Sequence, residues 1–130
     1  MPISIRVWDE IIPGERSPAE PVTMPARGTA RELIRSRVFR EVERYNANLP
    51  EVFQGLVQPE ESEQILNGFR MKARRPLDGE AQFQKACSSF ERNGFLILVD
   101  GLQVSELDVE IVLHADSEVQ FIKLVPLVGG

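Results

Sequence analysis

The chain closes on LVPLVGG, residues 124–130, an apolar run that finishes in two glycines. Glycine has no Cβ and reaches dihedrals that other residues avoid, so Gly129-Gly130 is the thinnest and most adaptable lead a polypeptide can give to a carboxylate. Taken alone the pair reads as a frayed end, because chain ends are where order is commonly lost. Other side chains with chemical reach are few. Cys87 shares an apolar helix face with Phe83 and Phe90, so it reads as a small buried hydrophobe rather than a nucleophile. His114 stands beside Ala115-Asp116 with no Ser, Cys or carboxylate partner at a useful spacing, so it reads as a solvated turn residue and not as a general base. One cysteine excludes an internal disulfide, and one histidine leaves no second for a metal site or a relay. No metal and no catalysis by this chain are expected. The basic knot Arg70, Lys72, Arg74 and Arg75 reads as a solvated loop, although it has the charge to dock an acidic partner. Trp8 is expected to pack at the rim of the sheet or helix.

These residues need a scaffold, and composition bounds it. A chain of 130 residues is long enough for one domain with a real core. Its hydrophobic fraction of 42% and charged fraction of 27% are those of a globular protein. The formal net charge of −5 argues against nucleic acid and anionic membrane as partners, since both select a basic surface. No apolar run has the length of a bilayer span, and Met1-Pro2-Ile3-Ser4-Ile5-Arg6 lacks the pattern of a secretory signal, so a cytoplasmic protein is expected.

Periodicity supplies the elements. Ile3, Ile5 and Val7 alternate with Ser4, Arg6 and Trp8, which predicts a half-buried strand over residues 3–8. Pro13 to Pro21 reads as an exposed connection, after which Val22-Thr23-Met24 resumes β character and closes a loose hairpin. Thr29 and Glu32 form a capping box that starts a helix, with Ile34, Val38, Val42 and Tyr45 on one face. Residues 47–78 hold Pro50, Pro59 and Pro76 and read as an insertion with a short helix near Glu60–Phe69. From the N-cap Asp78, the spacing of Phe83, Ala86, Cys87 and Phe90 predicts an amphipathic helix that stops at Asn93-Gly94. Phe95–Val99 is a buried strand in the middle of a sheet, entering a tight turn at Asp100-Gly101. Leu102–Val104 returns briefly, Val109–Leu113 is short and mixed, Ala115–Glu118 is a polar turn, and Val119–Leu127 is the last strand. Leu124, Val125, Leu127 and Val128 cannot all point inward from one strand, so part of that run is exposed or covered by a partner.

This order of elements resembles the ubiquitin-like β-grasp family. FLILVDGLQV followed by VEIVLHADSEVQFIKLVPLVGG is similar to the second half of those proteins, and is closer still to the small sulfur carriers of thiamine and molybdopterin biosynthesis. The resemblance rests on the Asp100-Gly101 turn, the polar turn at Ala115–Glu118, and Pro126 before Gly129-Gly130. It covers residues 95–130 well and 3–45 moderately, and it does not cover 47–94. The fold it implies is α+β, a single β-grasp domain over 1–130 with a mixed sheet, one main helix, a helical insertion at about 47–94 and a flexible tail at about 126–130.

The function it implies is that of a protein modifier, of a bacterial ubiquitin-like kind, rather than an enzyme. A separate E1-like adenylating enzyme would draw Gly129 and Gly130 into an ATP site and activate the Gly130 carboxylate, with ATP consumed by that partner and no cofactor bound here. Pro126, Leu127 and Val128 would hold the tail extended and be recognised; proline fixes φ and donates no amide hydrogen, which suits the point where strand pairing ends. An E2-like enzyme and a target protein would follow. The alternatives are a sulfur carrier with a thiocarboxylate on Gly130, and a non-catalytic β-grasp interaction module such as a phage tail assembly factor. Three lysines, Lys72, Lys85 and Lys123, offer few sites for building chains.

Overall fold

The first strand runs further than residues 3–8, to residue 12, although apolar and polar residues no longer alternate beyond Trp8. In the computed structural model, which describes residues 2–12, 16–65 and 68–124, the elements are β1 (Pro2–Ile12), β2 (Arg16–Pro25), β3 (Arg27–Thr29), α1 (Ala30–Asn48), β4 (Val52–Phe53), β5 (Ser62–Ile65), β6 (Gly68–Met71), α2 (Gly79–Glu91), β7 (Phe95–Val99), β8 (Leu102–Val104), β9 (Glu110–Val112) and β10 (Glu118–Leu124). Five strands form a mixed sheet in the order β2-β1-β10-β7-β8. β1 and β10 run parallel at its centre, from Arg6 opposite Glu118 to Ile12 opposite Leu124, and every other neighbour is antiparallel. The fold class is therefore α+β with a mixed sheet and two helices. Among the described residues no helix is long and apolar enough to cross a membrane.

The stretch read as an exposed connection, Pro13 to Pro21, is corrected in part: residues 16–21 belong to β2. Proline has no N–H to give a ladder, but β2 is an edge strand, so the missing donor costs no bond on the solvent side. The ladder also slips between Ile5 and Val7, where Glu20 and Pro21 together oppose Arg6 in a bulge that takes up one proline.

One face of the sheet is apolar in every long strand. Ile5, Val7, Val22, Met24, Phe95, Ile97, Val119 and Phe121 are all buried there. α1 lies across them with Leu33, Ile34, Val38 and Val42 inward, and α2 adds Phe83, Ala86, Cys87 and Phe90. Rings knit the layers: Phe90 to Phe95 at 5.7 Å and Phe95 to Phe121 at 6.0 Å between centroids. Both expected helix starts are present. Thr29 Oγ1 accepts the Glu32 N–H at 3.2 Å, and Asp78 Oδ1 accepts the Glu80 N–H at 3.0 Å. α2 ends as the Asn93-Gly94 pair implies, except that Asn93 rather than Gly94 takes the left-handed position (φ 60°), with Asn93 N–H donating to Phe90 O and Gly94 N–H to Ser89 O. β7 is interior to the sheet, and the turn after it has positive φ at both Asp100 (49°) and Gly101 (84°), as a two-residue hairpin requires.

Among the described residues the short helix expected near Glu60–Phe69 is not formed; Ser62–Ile65 is β5, paired antiparallel with β6 (Gly68–Met71). β4, β6 and β5 make a separate three-stranded antiparallel sheet. Its Phe53 and Met71 form a small second core with Tyr45 of α1, Tyr45 and Phe53 meeting edge to face at 5.4 Å. Glu and Gln favour helix only weakly, and the pairing of Gln64 with Phe69 and of Ser62 with Met71 overrides that preference. β9 pairs with β3 rather than with the large sheet.

Candidate functional site

Gly130, Gly129, Val128, Leu127 and Pro126 lie outside the described residues, which end on β10. That strand lies at the centre of the sheet, hydrogen-bonded to β1 on one side and β7 on the other. Nothing short of breaking two ladders could draw that strand out, so the last described residues are a fixed point.

On the helix-facing side of that point sits a group of charges. Asp9 is on β1, Lys123 on β10, and Arg37 and Glu41 are one turn apart on α1. Arg37 donates from Nη1 and Nη2 to the two Asp9 oxygens at 2.6 and 2.8 Å, and from Nε to Glu41 Oε2 at 3.1 Å. Its guanidinium lies 4.4 Å from the Phe121 ring centroid, and its side chain is only 6% exposed. Two bonds extend the group to the segment that follows β4: Glu41 Oε1 accepts the Leu56 N–H, and Lys123 Nζ donates to Gly55 O, each at 3.1 Å.

The four charges cancel formally, but burial acts on each. For Arg37, desolvation opposes the charge, yet Glu41 and Asp9 more than offset it and hold the guanidinium protonated well above its ordinary range. Burial raises the Glu41 carboxyl despite Arg37, because Arg37 is shared between two carboxylates. Burial likewise lowers the Lys123 ammonium, with Arg37 adding repulsion. A buried network of this kind contributes little net stability but is costly to leave half-paired. Its effect is to fix the relative placement of β1, β10, α1 and residues 55–56 at the base of the tail. Gly55 is needed there for close approach, since a Cβ would overlap the Phe53 ring.

The remaining candidates fall where their residue types suggest. Cys87 is buried on α2, and burial pushes its thiol up, away from nucleophilic use. His114 is exposed before the 115–116 turn, where its backbone N–H donates to Ser117 Oγ at 2.8 Å. Trp8 is half-buried on the sheet face away from the helices, with the Arg16 guanidinium 4.2 Å from its ring centroid. The basic knot divides: Met71 is buried, while Arg70, Lys72, Arg74 and Arg75 are exposed and Arg75 Nη2 donates to Glu61 Oε2 at 2.5 Å. An open cleft of about 330 Å³ lies between the inserted sheet and α2, walled by Glu61, Met71, Arg75, Leu77 and Gln82. Among the described residues no cluster of His, Cys, Asp or Glu could hold a metal ion.

The charge group is what sequence reasoning missed, and a signal for it existed. Arg37 and Glu41 fall on the same helix face as Ile34, Val38 and Tyr45, and a charged residue on an apolar stripe needs a buried partner. Compared with family models, with curated proteins and with solved structures, the chain matches none.

Proposed function

We propose that the chain is a ubiquitin-like β-grasp protein whose Gly130 carboxylate is activated by a separate E1-like adenylating enzyme and joined to an amine of a target protein. The observation that carries this is the sheet order β2-β1-β10-β7-β8 with β1 and β10 parallel at its centre and α1 across one face. A last strand set between two hairpins and parallel to the first strand is the arrangement that the resemblance implies, and it pairs the strand leading to Gly129-Gly130 on both sides, with β1 and with β7. The chemistry asks for that combination. A carboxylate is a poor electrophile until one oxygen attacks the α-phosphorus of ATP and displaces pyrophosphate. An amine can then attack the acyl carbon, expel AMP and lose a proton, directly or after transfer to a cysteine of an E2-like enzyme. A thin lead on a rigid base delivers the acid to the nucleotide while the body docks outside.

The test is intact mass measurement after incubation with ATP and an E1-like enzyme. An acyl-enzyme or conjugate is the expected result, lost when Gly129 and Gly130 are deleted. Exchange of oxygen for sulfur on Gly130 would instead identify a sulfur carrier. No change, with the deletion equally inert, would leave an interaction module such as a phage tail assembly factor.

A further inference from the structure

We infer that Lys72 is the acyl-acceptor lysine of this chain, the amine at which a second copy would be joined when chains are built. The inference rests on the proposed activation of Gly130, but its physical ground is independent of it. Twelve arginines stand against three lysines, and arginine is not an acyl acceptor at neutral pH because its guanidinium does not lose its proton. The lysines are therefore the only side-chain amines.

Two of the three are committed to the fold. Lys123 projects into the charge group at the base of the tail, where its Nζ donates to Gly55 O at 3.1 Å. The lowered proton affinity of that ammonium would favour attack, yet the amine stands between β10, α1 and the inserted sheet. Reaching an acyl donor there means opening the junction. Lys85 is half-buried on α2 and its Nζ donates to Gln58 O at 3.0 Å, bridging α2 to the segment before β5. Acylation of either amine would remove a charged donor from a backbone carbonyl that it satisfies.

Lys72 differs in each respect. It is exposed, it follows the last residue of β6, and its backbone is tied down by its N–H donating to Glu61 O at 2.9 Å. Among the described residues its ammonium has no hydrogen-bond or ion-pair partner within bonding distance. The exposed Arg70 and Arg74 stand on either side of it in sequence, while Arg75 is engaged by Glu61, so an incoming chain of net charge −5 meets a modest positive approach. The step balances simply: neutral Nζ attacks the activated Gly130 carbonyl carbon, the amide C–N bond forms as the C–O bond to AMP or the C–S bond of a thioester breaks, and the one proton lost by Nζ goes to solvent or to the departing thiolate.

Two measurements on the full chain test this. With limiting N-hydroxysuccinimidyl acetate, peptide mass spectrometry should find Lys72 acetylated at least about tenfold faster than Lys123, with Lys85 between them, because a committed amine reacts only through local opening. In guanidinium chloride the differences should vanish. Equal rates in the folded chain overturn the inference. With ATP and an activating enzyme, the homo-conjugate should disappear in Lys72→Arg and persist in Lys85→Arg. Linkage through Lys85, Lys123 or the α-amine overturns the acceptor assignment while leaving activation standing. Failure to load Gly130 at all overturns the functional reading and the acceptor role with it, and the acetylation rates then report only which amine the fold leaves reactive.

Discussion

The large sheet and the inserted sheet are held by different proportions of apolar burial and directed polar bonds. In the large sheet, eight apolar side chains from four strands face two helices, and the central residues Ile5, Ile97, Val119 and Phe121 are wholly buried. The inserted sheet buries only Phe53 and Met71, against Tyr45 of α1, and Leu56 and Val57 after β4 join the large core; beside these few apolar contacts its attachment carries directed polar bonds, Glu41 to Leu56, Lys123 to Gly55, and Asn46 exchanging hydrogen bonds with Leu77 at 2.8 and 3.0 Å. Apolar burial is non-directional and tolerates adjustment, whereas a charged group or an amide must meet its partner in one place. The body therefore supplies most of the stability, and the junction supplies placement.

The largest effects should come from the body. Phe121→Ala removes a ring that packs on Phe95 and under Arg37, and should cost about 4 kcal/mol in urea unfolding. Total stability of a domain this size is about 5–15 kcal/mol, so the variant would be close to unfolded at 37 °C. Arg37→Leu comes next, at about 3 kcal/mol, because it leaves Asp9 and Glu41 unpaired. Adding Asp9→Asn to that variant should recover part of the loss. A double variant no better than the single would show that ring packing on Phe121, and not charge, sets the cost.

Junction variants should act locally. Phe53→Ala should lower the protection of β4 and β6 amides by about 2 kcal/mol in hydrogen exchange, less than a central phenylalanine because the opening is sub-global. The Met71 N–H, bonded to Glu51 O at 2.9 Å, is a suitable reporter. Amides of β1, β7 and β10 should be unchanged. Equal loss in both sheets would mean that they unfold as one unit and that the contrast is only one of composition.

The contrast also explains what could be read before the structure. β1, α1, α2, β7 and β10 announce themselves because each must present a stripe to the same core, so Ile34 and Val38 or Phe83 and Cys87 repeat at the helical period. Caps and turns were equally plain, since Thr29, Asp78 and Asp100-Gly101 act through their nearest neighbours. The inserted sheet hid because β4 has two residues, β5 buries neither of its central residues Glu63 and Gln64, and the stabilising pairs are made by β6. Its hairpin is decided by tertiary pairing, which no local window contains. β2 was shortened for a related reason: whether proline is tolerated depends on which strand is at the edge. The junction charges were visible as Arg37 and Glu41 on an apolar face, but their partners Asp9 and Lys123 are distant in sequence and look like ordinary surface residues.

The smallest predicted effects are two pH dependences of opposite sign, and they separate placement from stability most cleanly. Glu41 is raised by burial, so the folded chain holds that proton more tightly than the unfolded chain does. Its stabilising contribution is present below the ordinary value of 4.5 and lost as pH rises through the folded value. Wild type should therefore gain on Glu41→Gln as pH falls toward 4.5. Lys123 is lowered, so just below its ordinary value of 10.5 the unfolded chain binds the extra proton, and its contribution is present above 10.5 and lost as pH falls through the folded value. Wild type should gain on Lys123→Met as pH rises toward 10.5, and the two should differ by less than about 1 kcal/mol at pH 7, where the Gly55 hydrogen bond offsets burial of the charge. Urea midpoints across pH 4–10.5 give both slopes. Parallel curves for wild type and each variant would mean that neither group is more desolvated in the folded chain than in the unfolded one, and the junction would then be held by geometry alone.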